Sequence, residues 1–201
     1  PPQADVALRE ALAMGCDEAY LVSAREFGGS DTYATSGILA AALKKVGYDI
    51  VITGRQAIDG DTAQVGPQIA EKLSLPQVSY VEEVIEATEE YVVVKRQYED
   101  GYHIIKIKTP CLLTAIAELA TPRYMSVRGI VEAYEAEIKV LGFEDLKDEL
   151  ELDMIGLKGS PTNVYQSFTK EVKGAGTILE GLSADEAVKA IMDKLEAKFI
   201  I

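Results

Sequence analysis

The sequence predicts an α/β fold: a parallel sheet covered by helices, then a β-hairpin region, then an extended C-terminal tail that ends in a helix. Three observations carry this. In the first half, apolar runs of strand length alternate with segments of helical period, as in βαβ units. From 78 to 108 the pattern changes to consecutive runs rich in Val, Ile and Tyr around a turn. From Gly142 the chain becomes acidic and then polar, with Gly, Pro, Ser and Thr.

The elements follow in order. Helix Ala4–Met14 begins almost at once, with no strand before it, so the chain is expected to start inside a domain. Strand Glu18–Ser23 leads to the turn "FGGSD" and a helix over Thr32–Val46, with Ser30 or Asp31 as its cap. Strand Asp49–Thr53 runs into "GRQAIDGD", and the next helix ends near Ser74. Val78–Ile85, Tyr91–Gln97 and Tyr102–Lys108 read as successive strands, with Glu99–Gly101 as a hairpin turn. The apolar strand Cys111–Ile116 is expected to return to the core sheet. "SVRGIVEAYEAEIKVL" gives a helix capped by Ser126 and then a short strand. The tail is not expected to build its own core. Its last helix opens at "SADE", where Ser183 and Glu186 have capping-box spacing. Ala187, Ile191, Leu195 and Phe199 recur every four residues on one face of that helix.

Composition narrows the function. A formal net charge of -13 over 201 residues argues against nucleic acid and against an anionic membrane surface. No apolar run reaches membrane-spanning length. The two cysteines, Cys16 and Cys111, make neither a disulfide framework nor a zinc pattern, and are expected as buried thiols in a reducing, cytoplasmic setting. The single histidine, His103, falls in an alternating strand and makes neither a triad nor a metal cluster. Neither GxGxxG nor GxxxxGK[ST] occurs. No catalytic or metal-ligating residue is assigned.

Two glycine-bearing strand-to-helix turns remain. "EFGGSDT", Glu26–Thr32, partly matches the SGGxD[ST] phosphate loop of ATP pyrophosphatases, with Phe27 where that loop wants Ser. A plain turn with Asp31 or Ser30 capping the helix accounts for it better. The second, "ITGRQAIDGDTAQVGP", lies beyond the carboxyl end of a strand, where open parallel sheets bind ligands. Helix N-terminal amides from about Asp61 to Gly66 are placed to hold a pyrophosphate. Asp59 is expected to brace the turn, Asp61 or Thr62 to cap the helix, and Arg55 to offset negative charge. Gln56 and Gln64 are in reach of a ribose or ring edge. The residues alone leave an anion site and a merely capped helix equally open.

Two longer blocks are more specific. "GRQAIDGDTAQVGPQIAEKLSLPQVSY", Gly54 to Tyr80, resembles the nucleotide-binding segment of the electron transfer flavoprotein beta subunit. "VKRQYEDGYHIIKIKTPCLLT", Val94 to Thr114, resembles that family's signature, except that His103 stands where the family usually has Glu or Gln. "TPRYMSVRGIVEA", Thr121 to Ala133, resembles its segment that meets partner dehydrogenases.

The resemblance implies a Rossmann-like open, mainly parallel sheet with helices on both faces, over residues 1–141 and lacking its first strands. Residues 142–201 would be an arm and helix packing on an alpha subunit. It implies that Gly54, Arg55, Gln56, Ala57, Ile58, Asp59, Gly60, Asp61, Thr62, Ala63, Gln64 and Val65 wrap a nucleotide, and that Val127, Arg128, Gly129 and Ile130 dock a partner. AMP-type members tend to read "IDDDCNQTG" where this chain reads "IDGDTAQVGP". Gly60 leaves room for a bulkier ligand, so FAD is expected rather than AMP. NADH would reduce this flavin. Electrons would then pass to the alpha-subunit flavin, to an acyl-CoA dehydrogenase-type flavoenzyme and, by bifurcation, to ferredoxin. The alternatives are a non-bifurcating AMP-binding beta subunit, an ATP-pyrophosphatase-like enzyme using "GGSDT", and a stress-protein-like nucleotide-binding module.

Overall fold

The computed structural model describes residues 2–162, 164–169, 174 and 176–200. These divide into two compact units, Pro1–Asn163 and Val164–Ile201.

The first unit is an open, mainly parallel α/β structure. Its strands are β1 (Tyr20–Val22), β2 (Ile50–Gly54), β3 (Gln77–Ala87), β4 (Tyr91–Tyr98), β5 (Gly101–Lys108), β6 (Cys111–Ala115) and β7 (Lys139–Leu141). Its helices are α1 (Asp5–Ala13), α2 (Thr32–Val46), α3 (Val65–Lys72), α4 (Val127–Glu135) and α5 (Phe143–Leu146). One sheet has the order β2-β6-β3-β4-β5, and β1 pairs with β7 in a second. β6 does return to the core, parallel to both β2 and β3. The hairpin strands β4 and β5 are antiparallel. β5 ends the sheet, which makes His103 an exposed edge-strand residue, as expected.

Alternation along β6 divides the core. Leu112 faces Val51, Ile69 and Ala70, whereas Cys111 and Leu113 join Val78, Val81, Val92, Val94 and Ile107. A third cluster sets Ala41 and Ala42 of α2 against Leu141 and Leu146. Cys111 is buried, and burial pushes its thiol up. Cys16, expected to be buried, is exposed. It lies just past α1 in a turn, and one cysteine's burial says nothing of the other's.

Residues 142–162 pack on this unit. Leu146 and Ile155 are buried. The segment is held to the "FGGSD" turn by Leu157, whose amide donates to the Gly28 carbonyl at 3.1 Å. The Gly156 amide donates to Ser30 Oγ at 3.0 Å, and the Asp31 amide to Ser160 Oγ at 2.8 Å. Gly156 has φ +62°, and a Cβ there would meet the Glu26 carbonyl oxygen at 2.3 Å, so no other residue fits without movement.

Asp31 does two tasks. One carboxylate oxygen caps α2 by accepting from the Ala34 amide at 3.0 Å. The other accepts from the Thr162 amide at 3.0 Å and its hydroxyl at 2.6 Å. Desolvation alone would raise this carboxyl, but the hydrogen bonds from Thr162, Ala34 and Tyr33 outweigh it and hold it below the ordinary aspartate value.

In the second unit, α6 spans Ala184–Glu196. The expected capping box forms, with Ser183 Oγ accepting from the Glu186 amide and Glu186 accepting from the Ser183 amide at 2.9 Å. The helix ends before Phe199, which leaves the expected four-residue repeat one member short. Val188, Ile191 and Met192 are exposed.

Asp31→Ala removes both the cap and the latch and is expected to cost about 2 kcal/mol in urea unfolding. Asp31→Asn keeps the cap and loses the charge. A folded carboxyl below its unfolded value stabilises above the unfolded value and loses that contribution as pH falls through the folded one. The gap between wild type and Asp31→Asn should therefore close below about pH 4; an equal gap at pH 7 and pH 3 would contradict it.

Candidate functional site

The carboxyl edge of the parallel strands is organised around Thr114. It pairs in register with Thr53 of β2 and is 2% exposed. Its Oγ1 accepts a 3.0 Å hydrogen bond from the Tyr80 amide. A Cβ at Gly66 would sit 2.5 Å from Thr53 Oγ1 and 2.9 Å from Thr114 Cγ2. Only glycine lets α3 start this close to both strand ends. Thr53 Oγ1 is buried and has no hydrogen-bond partner among the described residues, which calls for an explanation.

Between β2 and α3 run the expected loop residues. Asp61 and Ala63 both adopt positive φ, +50° and +53°, which costs non-glycine residues energy and clusters at functional loops. The turn closes through the Asp61 amide donating to the Ala57 carbonyl at 3.0 Å. The Asp59 side chain does not brace it. Gln56 Nε2 donates to the Asp61 carboxylate.

The helix start differs from expectation. α3 begins at Val65, not near Asp61, and neither Asp61 nor Thr62 caps it. The left-handed residues keep 61–63 out of helical geometry. No side chain caps α3 at all, so its open end presents the amides of Val65 and Gly66, Pro67 having none. Arg55 also departs from expectation. It forms no ion pair with Asp59 or Asp61, and its guanidinium lies 5.2 Å from the Tyr80 ring centroid. At this position the tyrosine face offers what the solvated aspartates do not.

Both glycine-bearing turns open on one cleft of about 650 Å³. Its walls include Ser30, Asp31 and Thr32 from the first turn and Thr53, Arg55, Gln64 and Gly66 from the second. Thr32 Oγ1 donates to Gln64 Oε1 at 2.9 Å and ties the turns together. Sequence reasoning set the turns apart. The signal was the shared glycine-turn-helix pattern, which places both at the same edge. Ile58 stands fully exposed at the loop's tip.

The second expected surface is divided in role. Ser126 caps α4 through the Gly129 amide at 2.9 Å. Gly129 itself faces α1, where a Cβ would meet the Ala13 carbonyl oxygen at 2.8 Å. Arg128 is paired with Glu132. Val127 and Ile130 are exposed, beside exposed Tyr124, Val131 and Tyr134.

A cleft at the carboxyl edge of an open sheet, floored by helix amides, defines an α/β protein with a candidate ligand site. The family model for the electron transfer flavoprotein domain matches residues 1–146. The acryloyl-CoA reductase electron transfer subunit gamma of Anaerotignum propionicum is 55% identical over all of this chain and 77% of its own length. The electron transfer flavoprotein subunit beta of Thermoanaerobacterium thermosaccharolyticum is 54% identical, and the caffeyl-CoA reductase-Etf complex subunit CarD of Acetobacterium woodii 52%. Each covers the whole chain and 76% of the relative. The chain belongs to the electron transfer flavoprotein family, with the beta subunits, and serves as an electron transfer subunit.

Gly66→Ala is expected to destabilise the protein by about 1–3 kcal/mol through overpacking. Adding Thr53→Ala, which removes the nearest atom, should recover part of that loss in thermal unfolding. A Gly66→Ala protein as stable as wild type would show that the α3 start is not held this tightly.

Proposed function

We propose that the cleft binds FAD, with the diphosphate at the loop Gly54–Val65, and that the chain passes electrons from NADH to the flavin of an alpha subunit. The observation that carries this is the convergence of both glycine turns on one cleft beside the uncapped start of α3. The residues fit the group. The Val65 and Gly66 amides and the positive end of the helix suit phosphate oxygens. The buried Thr53 hydroxyl has a donor to spare. Gly54 and Gly60 present bare backbone, with nothing within 4 Å of a would-be Cβ. The flavin supplies the hydride and single-electron chemistry when bound. The chain supplies binding, orientation and a local field, and needs no general base.

Two relatives carry names of CoA-ester reductase systems. That supports an acyl-CoA dehydrogenase-type flavoenzyme as the electron acceptor; ferredoxin is the second acceptor of this reading, by bifurcation. Val127 and Ile130, exposed at the start of α4, are the docking residues in this reading. Arg128 and Gly129 position them, through the ion pair to Glu132 and the close contact with α1. In this reading residues 1–141 are the nucleotide-binding domain and residues 142–201 an arm that meets the alpha subunit, its first part, 142–162, also packing on the domain itself. No described helix is long and apolar enough to cross a membrane, and a cytoplasmic location suits NADH and ferredoxin. An AMP-binding, non-bifurcating subunit is the second reading, favoured by the same amides but not by Gly60.

The test is the flavin content of the chain co-produced with a family alpha subunit. Two flavins per heterodimer, with NADH bleaching the visible absorption, is the expected result. One flavin with bound AMP would establish the second reading instead. Gly60→Asp should weaken FAD more than AMP; equal weakening of both would overturn the role given to Gly60.

A further inference from the structure

By its own sequence α4 is a poor helix. It has nine residues, too few to be stable alone in water, and Gly129 lies within it. Its carboxyl half carries Glu132 and Glu135, with Glu137 just beyond, and no base stands in its last turn. Acids at that end oppose the helix dipole. Its faces are also reversed. Gly129 lies against α1, and Ala133, one turn on, is buried. Val127, Ile130, Val131 and Tyr134 recur at i, i+3, i+4 and i+7, the spacing of an apolar stripe, yet all four are exposed. The small residues face the fold and the large ones face outward.

Arg9 of α1 holds the end of this helix. Its Nη1 donates to the carbonyl oxygens of Ala133 at 2.7 Å, Tyr134 at 3.1 Å and Ala136 at 3.4 Å. The last turn of a helix leaves such carbonyls without a partner of its own. The guanidinium also brings the cation that the sequence of α4 lacks there. Asp5 grips the same group from its other side, accepting from Nε at 2.8 Å and from Nη2 at 3.4 Å. The guanidinium carbon lies 5.6 Å from the centroid of the Tyr134 ring, so the last member of the stripe rests on it as well. Gly129 supplies the other fixed point, near the start of α4.

We propose that Arg9, oriented by Asp5, is a positioning residue for partner docking. It keeps the last turn of α4 formed and so extends the docking face from Val127 and Ile130 to Val131 and Tyr134. This rests on the reading of Val127 and Ile130 as docking residues. A stripe of this spacing suits an apolar groove on the partner. Without Arg9 the last turn has acids at its negative end and no partner for its carbonyls. It is then expected to stand formed in about one molecule in ten, which weakens docking about tenfold.

The experiment uses the chain co-produced with a family alpha subunit, reduced by NADH, with an acyl-CoA dehydrogenase as the electron acceptor. Wild type is compared with Arg9→Met, Arg9→Lys, Asp5→Ala and Val127→Lys. Arg9→Met is expected to raise KM for the acceptor about tenfold and to leave kcat and flavin content unchanged. In the same variant the amides at the end of α4 should lose most of their protection from hydrogen exchange. Arg9→Lys restores the charge without the fork and should recover part of both effects. Asp5→Ala leaves Arg9 in place and should act in the same direction more weakly, which keeps the test open if Arg9→Met does not fold. Unchanged exchange at the end of α4, or kcat falling together with flavin content, would overturn the positioning role. So would an unchanged KM in the Arg9 and Asp5 variants while Val127→Lys raises it. An unchanged KM in Val127→Lys too, or a wild type that reduces no acyl-CoA dehydrogenase, would overturn the docking reading itself.

Discussion

A single buried hydroxyl orders the carboxyl edge of the sheet. Thr114 accepts the Tyr80 amide, stands in register with Thr53, and bounds the space in which α3 begins. Three elements that meet nowhere else in sequence are thereby set against one another. The strand end, the helix start and the β3 bulge cannot move independently. The energetic logic is that of a close-packed interior, where an added methyl must displace a neighbour. Gly66 is the concession that makes this packing possible. Its consequence is functional. Packed this tightly, α3 is left with uncapped amides facing the cleft instead of a side chain satisfying them.

Charge is arranged against the average. The chain is strongly acidic, yet Arg55 and Arg96, two of the arginines that form no ion pair among the described residues, both lie against the ring of Tyr80. Most acids on helix faces are solvated or paired in exposed ion pairs, which contribute little. Asp31 is different, because its hydrogen bonds join the cap of α2 to the segment ending at Thr162. One carboxylate thus fixes the first turn of a helix whose Thr32 touches Gln64, at the end of the loop between β2 and α3. Thr162 is thereby joined to a residue that lines the cleft.

The order of elements, the hairpin, the return of β6 and the caps Asp31, Ser126 and Ser183 were all legible in the sequence, because each rests on local periodicity or local chemistry. The start of α3 was not. Asp61 and Thr62 look like caps, but positive φ at Asp61 and Ala63 postpones the helix to Val65, and no propensity rule foresees that. The union of the two glycine turns was hidden for another reason: it depends on which strands become neighbours. Arg55 looked like the natural partner of Asp59 and Asp61, since sequence shows their proximity along the chain and not the ring of Tyr80 from the next strand. The apolar residues of 142–162 are spread among acids and glycines with no sustained period, and Leu146 buries because Ala41 and Ala42 of α2 supply the other half of its surroundings.

The glycines sort themselves by what explains them. At Gly66, Gly129 and Gly156 an added Cβ would strike this chain's own atoms, so the fold accounts for each. At Gly54 and Gly60 it would meet nothing within 4 Å, and neither residue has a positive φ. Glycine is costly in a loop that gains nothing from it, because the unfolded chain has more freedom to lose. The fold gives no return for that cost at either position. Both residues flank the loop at the mouth of the cleft, where a ligand's backbone approach or bulk would supply the missing reason. An AMP-type loop with aspartate in place of Gly60 would place a carboxylate in that open space. No contact within the chain accounts for the bare backbone at 60.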